Sequence, residues 1–205
     1  MDSFREISGV LTVIMSTLVF VPLLISTAHS KLKPHPITWA IASLTSGVSA
    51  LIFVCNNAGA GAWAPISQTI LSTALTIVSF HYYRKSSRIT RQDMFFFFLA
   101  IMALILWLLS RDLAAVSVVL LQVATVLGFV PTFTKTWKRP RSESYYTYTI
   151  FLLMNVFGIL ATVNLDFVNL FNRVANLPLN SSMILIMVFR RRKIPEDKES
   201  VEEES

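Results

Sequence analysis

Seven blocks of apolar residues, each about as long as a lipid bilayer is thick, divide this chain. They cover residues 8–28, 36–56, 62–83, 93–110, 112–134, 146–164 and 168–190. An α-helix needs about 20 apolar residues to cross the hydrocarbon core, and in lipid a helix satisfies all of its own backbone hydrogen bonds. We therefore predict an all-α integral membrane protein with seven transmembrane helices. Several Asn residues in the first half of the seventh block leave open a broken helix that lines a cavity.

The composition favours the same class. Of the 205 residues, 54% are hydrophobic and 15% are charged, whereas a soluble domain has about 25% charged residues. The first block is longer than the roughly 7–15 apolar residues of a signal peptide, so we expect it to be retained as a helix. With Cys55 as the single cysteine, no intramolecular disulfide is expected. No catalytic or metal-binding motif is apparent, so we expect neither an enzyme nor a cofactor.

The Lys and Arg residues predict the orientation. The loops after the first, third, fifth and seventh blocks hold 15 of the 18 basic residues, and only Arg5, Arg111 and Arg173 fall on the other side. Because positive loops stay in the cytoplasm, the N-terminus is expected outside and the C-terminus inside. The membrane would be the plasma membrane or a bacterial inner membrane. We read the basic net charge as membrane orientation rather than nucleic-acid binding.

The order of features repeats after about 109 residues. Pro22 lies late in the first block and Pro131 late in the fifth, and Trp39 and Tyr148 open the second and sixth blocks at the same offset. A three-block unit is therefore used twice. An odd number of spans would invert the second unit, and one additional span between the units makes them parallel, a plan known from transporters.

The repeat predicts the domain organisation. Residues 1–90 form a first three-helix repeat, and residues 112–193 form a second one. Residues 91–111, almost purely apolar, form a linker helix between them, which gives a 3+1+3 arrangement. Residues 194–205 form an acidic tail that we expect to be disordered.

One stretch resembles a known family. Residues 131–144 read Pro-Thr-Phe-Thr-Lys-Thr-Trp-Lys-Arg-Pro-Arg-Ser-Glu-Ser, which is similar to the segment that ends the fifth span of SWEET and PQ-loop membrane proteins. Leu23 and Thr132 stand where the family has its glutamine. With the repeat and the topology, the resemblance covers residues 8–193. It implies the 3+1+3 fold and transport of a sugar or a similar metabolite.

Polar residues inside the blocks are candidates for a substrate-lining role. At an offset of 108 residues, Gln68 aligns with Asn176 and Ser72 with Asn180. Gln68 and Ser72 are four residues apart and so share a helix face, as do Asn176 and Asn180. Asn155 in the sixth block is a further candidate. Hydrogen bonding between helices is the structural alternative for all five. In the resembled family an asparagine of the seventh span lines the pocket, which favours Asn176 or Asn180.

Four residues are candidates for a hinge or gate. Pro22 and Pro131 would kink the same helix of each repeat, because proline removes a backbone donor. Trp39 and Tyr148 would stack on a ring-shaped solute or close a gate. The alternatives are that proline is tolerated in membrane helices and that the aromatic rings anchor the interface.

The titratable residues favour facilitated diffusion over proton coupling. Proton-driven carriers need titratable groups within the membrane, and Asp93, Asp112, Asp166, His81 and Arg173 all fall near predicted span ends. We therefore expect a facilitator that works by alternating access, and the carboxamides and hydroxyl of the candidate lining residues favour a small neutral polar solute. The alternative is a non-transporting receptor or scaffold on the same fold. The expected partners are the lipid bilayer and a small-molecule solute, and a homo-oligomer is left open.

Overall fold

The computed structural model describes residues 2–29, 36–83, 91–138, 140–141 and 143–193. This part of the chain contains seven α-helices and no strand, so the prediction of an all-α protein with seven helices is confirmed. The helices are α1 Asp2–Ala28, α2 Pro36–Cys55, α3 Trp63–Tyr83, α4 Arg91–Leu109, α5 Ala114–Lys138, α6 Tyr145–Ala161 and α7 Phe167–Lys193. Short 3₁₀ helices at Gly59–Ala62 and Arg111–Leu113 precede α3 and α5.

The helix ends depart from the apolar blocks where polar residues continue a helix. α1 begins at Asp2 rather than at residue 8, because an acidic residue in the first turn interacts favourably with the helix dipole. α7 is continuous from Phe167 to Lys193, so the alternative of a broken seventh helix is wrong. It contains Pro178, whose exposed ring faces away from the neighbouring helices.

Each group of three helices packs in the same internal order. α3 contacts both α1 and α2, and α7 contacts both α5 and α6. α1 also packs against α6, whereas α4 packs against α5 and α2. The third helix of each group is therefore its centre, and α4 lies at the edge where the two groups meet.

The connections α2–α3 and α6–α7 meet at one end of the bundle. The Val163 amide donates a hydrogen bond of 3.0 Å to the Ala58 carbonyl. Asn164 Nδ2 donates to the Asn56 carbonyl at 3.3 Å, and Asn56 Nδ2 donates to Asp166 at 2.6 Å. Asn56 and Asn164 are 108 residues apart, the offset that relates the third and seventh blocks. Equivalent loops of the two groups thus touch each other.

The outer surface of the bundle carries many large apolar side chains, the most exposed being Leu109 at 75% and Leu108 at 67%. The interior is mainly apolar but also holds buried polar side chains, among them Ser8, Thr12, Ser16, Ser117 and Gln122. Two helical stretches, Asp2–Ala28 and Arg111–Lys138, are long and apolar enough to cross a membrane, and three shorter apolar helices lie beside them.

Several predictions concern residues outside the described part of the chain. These are the basic loops 30–35 and 84–90, position 139 and the acidic tail 194–205. The assignment of sides from the basic residues and the disorder of the tail therefore stay predictions.

Candidate functional site

A cavity of about 310 Å³ lies between the two helix groups. Its walls come from α1, α2 and α3 on one side and from α5, α6 and α7 on the other. Among the described residues, none of α4 lines it. The cavity therefore lies at the interface of the groups, where a relative movement of the two would change its access.

The structure brings all five predicted lining residues to this one cavity. Gln68, Ser72, Asn155, Asn176 and Asn180 each contribute to its wall. Their side-chain hydrogen bonds run mostly along their own helix: Ser72 Oγ donates to the Gln68 carbonyl at 2.6 Å, and Asn180 Nδ2 donates to the Asn176 carbonyl at 2.8 Å. Their role in binding a substrate stays a prediction.

Hydrogen bonds between helices satisfy only some of the polar side chains in the cavity wall. Gln122 Nε2 of α5 donates to Asn176 Oδ1 of α7 at 3.1 Å. By contrast, Oδ1 of the 4% exposed Asn180 and Oδ1 of Asn172 have no hydrogen-bond partner in the described part of the protein. A buried acceptor without a partner costs about 1–3 kcal/mol, so these atoms are suited to a polar occupant.

The sequence repeat is visible in the cavity wall. Eight pairs of residues related by 108 or 109 positions contribute to it. The pairs are Phe20 and Phe129, Ala42 and Phe151, Thr45 and Met154, Ser46 and Asn155, Ala64 and Asn172, Pro65 and Arg173, Gln68 and Asn176, and Ser72 and Asn180. Equivalent positions of the two groups thus line the cavity, and in four of the eight pairs the more polar member stands on α6 or α7.

The predicted gate residues form two matching aromatic contacts. The rings of Phe20 and Trp39 meet edge to face at 5.7 Å, and those of Phe129 and Tyr148 do so at 6.4 Å. Trp39 lines the cavity, whereas Tyr148 lies behind the wall in a cluster with Met183. Each contact joins the first and second helices of its group, and a gate role for Trp39 and Tyr148 stays a prediction.

Of the two predicted hinge prolines, the structure describes only the side chain of Pro22, which is not among the lining residues of the cavity. Pro22 lies inside α1 with its ring exposed on the outer surface. α5 passes through position 131 as a helix, and the Pro131 side chain lies outside the described part of the chain. A hinge at these positions therefore stays a prediction.

Arg173 is the functional candidate that sequence reasoning missed, because it was assigned to the end of a span. Its side chain is 5% exposed and lines the cavity. Nη2 donates to the Gly61 carbonyl, and the guanidinium lies 5.2 Å from the centre of the Phe53 ring. Gly158 provides the space, because a Cβ atom there would collide with the guanidinium. The repeat register pairs Arg173 with Pro65, a residue too different in chemistry to indicate that Arg173 lines the cavity.

The described lining of the cavity is almost uncharged. Arg173 is the one ionisable residue among its described lining residues. No group of three or more His, Cys, Asp or Glu side chains that could hold a metal occurs in the part of the chain described. No protein-family model, curated protein or solved structure matches this chain. A functional assignment therefore depends on the cavity.

Proposed function

We propose that this protein is a small transmembrane transporter that moves a polar solute by alternating access. The observation that carries the proposal is the cavity between two helix groups with repeat-related walls. Transporters built from parallel repeats bind their substrate at the repeat interface. The resemblance of residues 131–144 to SWEET and PQ-loop proteins also supports the proposal, since proteins of that family share this plan.

The distribution of side chains supports insertion into a membrane. Outward-facing residues such as Ile70, Ile77 and Leu108 would be in contact with lipid, where they need no cover. The polar groups in the interior would be shielded from lipid, since an unsatisfied polar group there costs several kcal/mol. α1 and α5 have the length and apolarity of spans, and the remaining helices would pack beside them.

The packing supports two parallel triplets, α1–α3 and α5–α7, joined by α4. The central position of α3 in one triplet is matched by α7 in the other. The α2–α3 and α6–α7 connections share an end of the bundle, as parallel repeats require and inverted repeats forbid. Of the described residues, α4 gives none to the cavity, as expected of a linker.

Cysteine labelling tests the membrane arrangement. In a Cys55→Ser background, single cysteines at His81, Arg192 and Leu165 would be treated with a membrane-impermeant maleimide. Positions 81 and 192 end the third helix of each triplet, whereas Leu165 is exposed between α6 and α7. We expect 81 and 192 to be labelled from one side and 165 from the other. Labelling of 81 and 192 from opposite sides would contradict parallel triplets.

Uptake into proteoliposomes tests transport. Labelled sugars, amino acids, hydroxy acids and vitamins would be compared in vesicles with and without the protein. We expect equilibration of at least one solute without concentration, and an Asn176→Ala variant should slow it by about threefold to tenfold through the loss of one hydrogen bond. The control is Thr17→Ala, which removes an exposed hydroxyl of α1 outside the cavity.

A flat response across the whole panel would argue against transport. It would favour the receptor or scaffold alternative, in which the same cavity binds without moving its ligand. Capture of a defined protein partner by the folded protein would then support that alternative.

A further inference from the structure

The guanidinium of Arg173 is buried with most of its hydrogen-bonding capacity unused. It offers five N–H donors, and the Gly61 carbonyl is the one acceptor that the described residues provide. Its Nε is fully enclosed without a partner. No carboxylate in the described ranges lies within 4.0 Å of the Arg173 guanidinium, the distance limit for an ion pair. An arginine in this state is stabilised by whatever anion reaches it.

The acid that immediately precedes α7 is already engaged. Asp166, at the start of α7, accepts hydrogen bonds from the side chains of Asn56 and Asn164 and from the backbone amide of Asn169. These contacts fix its carboxylate at the junction of the α2–α3 and α6–α7 connections. Asp166 therefore holds the loops together and leaves the positive charge at the cavity uncompensated.

The occupant must bring the missing acceptors. The fork of an arginine matches two oxygens of a carboxylate. Because Arg173 is the single ionisable group among the described lining residues, one negative charge balances the cavity, and a phosphate dianion would exceed it. A volume of about 310 Å³ admits a small molecule only.

The neighbouring carboxamides define the rest of the occupant. Asn172 and Asn180 line the cavity from α7, about two turns apart, and their Oδ1 atoms are enclosed without a donor among the described residues. Hydroxyl groups would supply those donors. In the first triplet, Ala64, Pro65 and Ser72 occupy the equivalent positions, so the recognition lies on the α7 side.

We infer that the cavity takes a small monocarboxylate with hydroxyl groups, its carboxylate against Arg173 and its hydroxyls against Asn172 and Asn180. This inference rests on the proposed transport function. It replaces the expectation of a neutral solute, which followed from the carboxamides and hydroxyl of the predicted lining residues. The solute class is then hydroxy acids and sugar acids.

Matched pairs of acidic and neutral solutes test this inference. Glucuronate with glucose, and lactate with lactamide, differ by the carboxylate and little else. We expect uptake of at least one acid to exceed that of its neutral counterpart by about tenfold, the effect of a charge-assisted hydrogen bond. Arg173→Met should bring the ratio close to one. Arg111→Met, which removes an exposed arginine that contacts Trp107, should leave it unchanged.

Stability separates a binding role from a structural one. If Arg173 is an unpaired buried charge, the Arg173→Met variant without ligand should unfold at the same temperature as the wild type or at a higher one. The preferred acid should raise the unfolding temperature of the wild type but not that of the variant. A fall without ligand, with the acid effect retained, would show a structural anchor and overturn the inference. Should the Met variant fail to fold, Arg173→Lys keeps the charge without the fork and should lower the ratio.

The two proposals fail in different ways. Uptake of glucose or lactamide but of neither acid would overturn the inference and leave the transporter standing. Absence of any uptake or stabilisation by either pair would also overturn it. The wider panel of solutes then decides separately whether the protein transports at all.

Discussion

Replacing Ser46 with tryptophan is expected to abolish uptake of whichever solute the protein transports. Ser46 lies on the cavity wall of α2, and its hydroxyl donates only within that helix, to the carbonyls of Ala42 at 2.6 Å and Ser43 at 3.2 Å. Its loss therefore leaves no partner on another helix unpaired. The indole would occupy the 310 Å³ that a solute needs.

Uptake should fall below about a tenth of the wild-type rate, because a filled pocket cannot bury its ligand. The measurement is the initial rate in proteoliposomes. Leu51→Trp is the matched control, since Leu51 lies on the same helix, is 50% exposed and faces outward. That variant should transport normally. Normal uptake by a folded Ser46→Trp protein would mean that the solute takes another route.

Replacing Gly61 with alanine should destabilise the junction between the α2–α3 and α6–α7 connections. A Cβ atom at this position would lie 2.5 Å from Oγ1 and 3.0 Å from Cα of Thr162. Thr162 cannot easily yield, because it is 1% exposed and its hydroxyl donates to the Gly158 carbonyl at 2.7 Å. The loop would have to move, and with it the carbonyl that accepts the hydrogen bond of Arg173.

The expected loss is about 1–3 kcal/mol in the free energy of unfolding, the usual cost of overpacking. In a protein of this length each kcal/mol lowers the unfolding temperature by about 2–4 °C. Gly128→Ala is the control, because no atom lies within 4 Å of its Cβ position in α5. It should be neutral or stabilising, since alanine favours a helix over glycine. Equal unfolding temperatures in the two variants would contradict a tight junction.

The sequence predicted those residues of the candidate site whose polar character is repeated at the equivalent position of the other unit. Gln68 and Asn176, or Ser72 and Asn180, stood out because polar residues at a constant offset in apolar blocks mark equivalent positions. The same comparison pairs Pro65 with Arg173, but two residues so different in chemistry give no sign of a shared location. Gln122 has no polar counterpart in the first repeat, so nothing in its register indicated that it would contact Asn176.

Seven helices follow from local chemistry, because a block of about 20 apolar residues has few alternatives to a helix. That information is carried within each block and needs no contact between blocks. The burial of Arg173 depends instead on the Gly61 carbonyl and the space at Gly158, which belong to other helices. Only packing between distant segments brings the Gly61 carbonyl and the space beside Gly158 to the Arg173 guanidinium. That packing places the positive charge at the cavity.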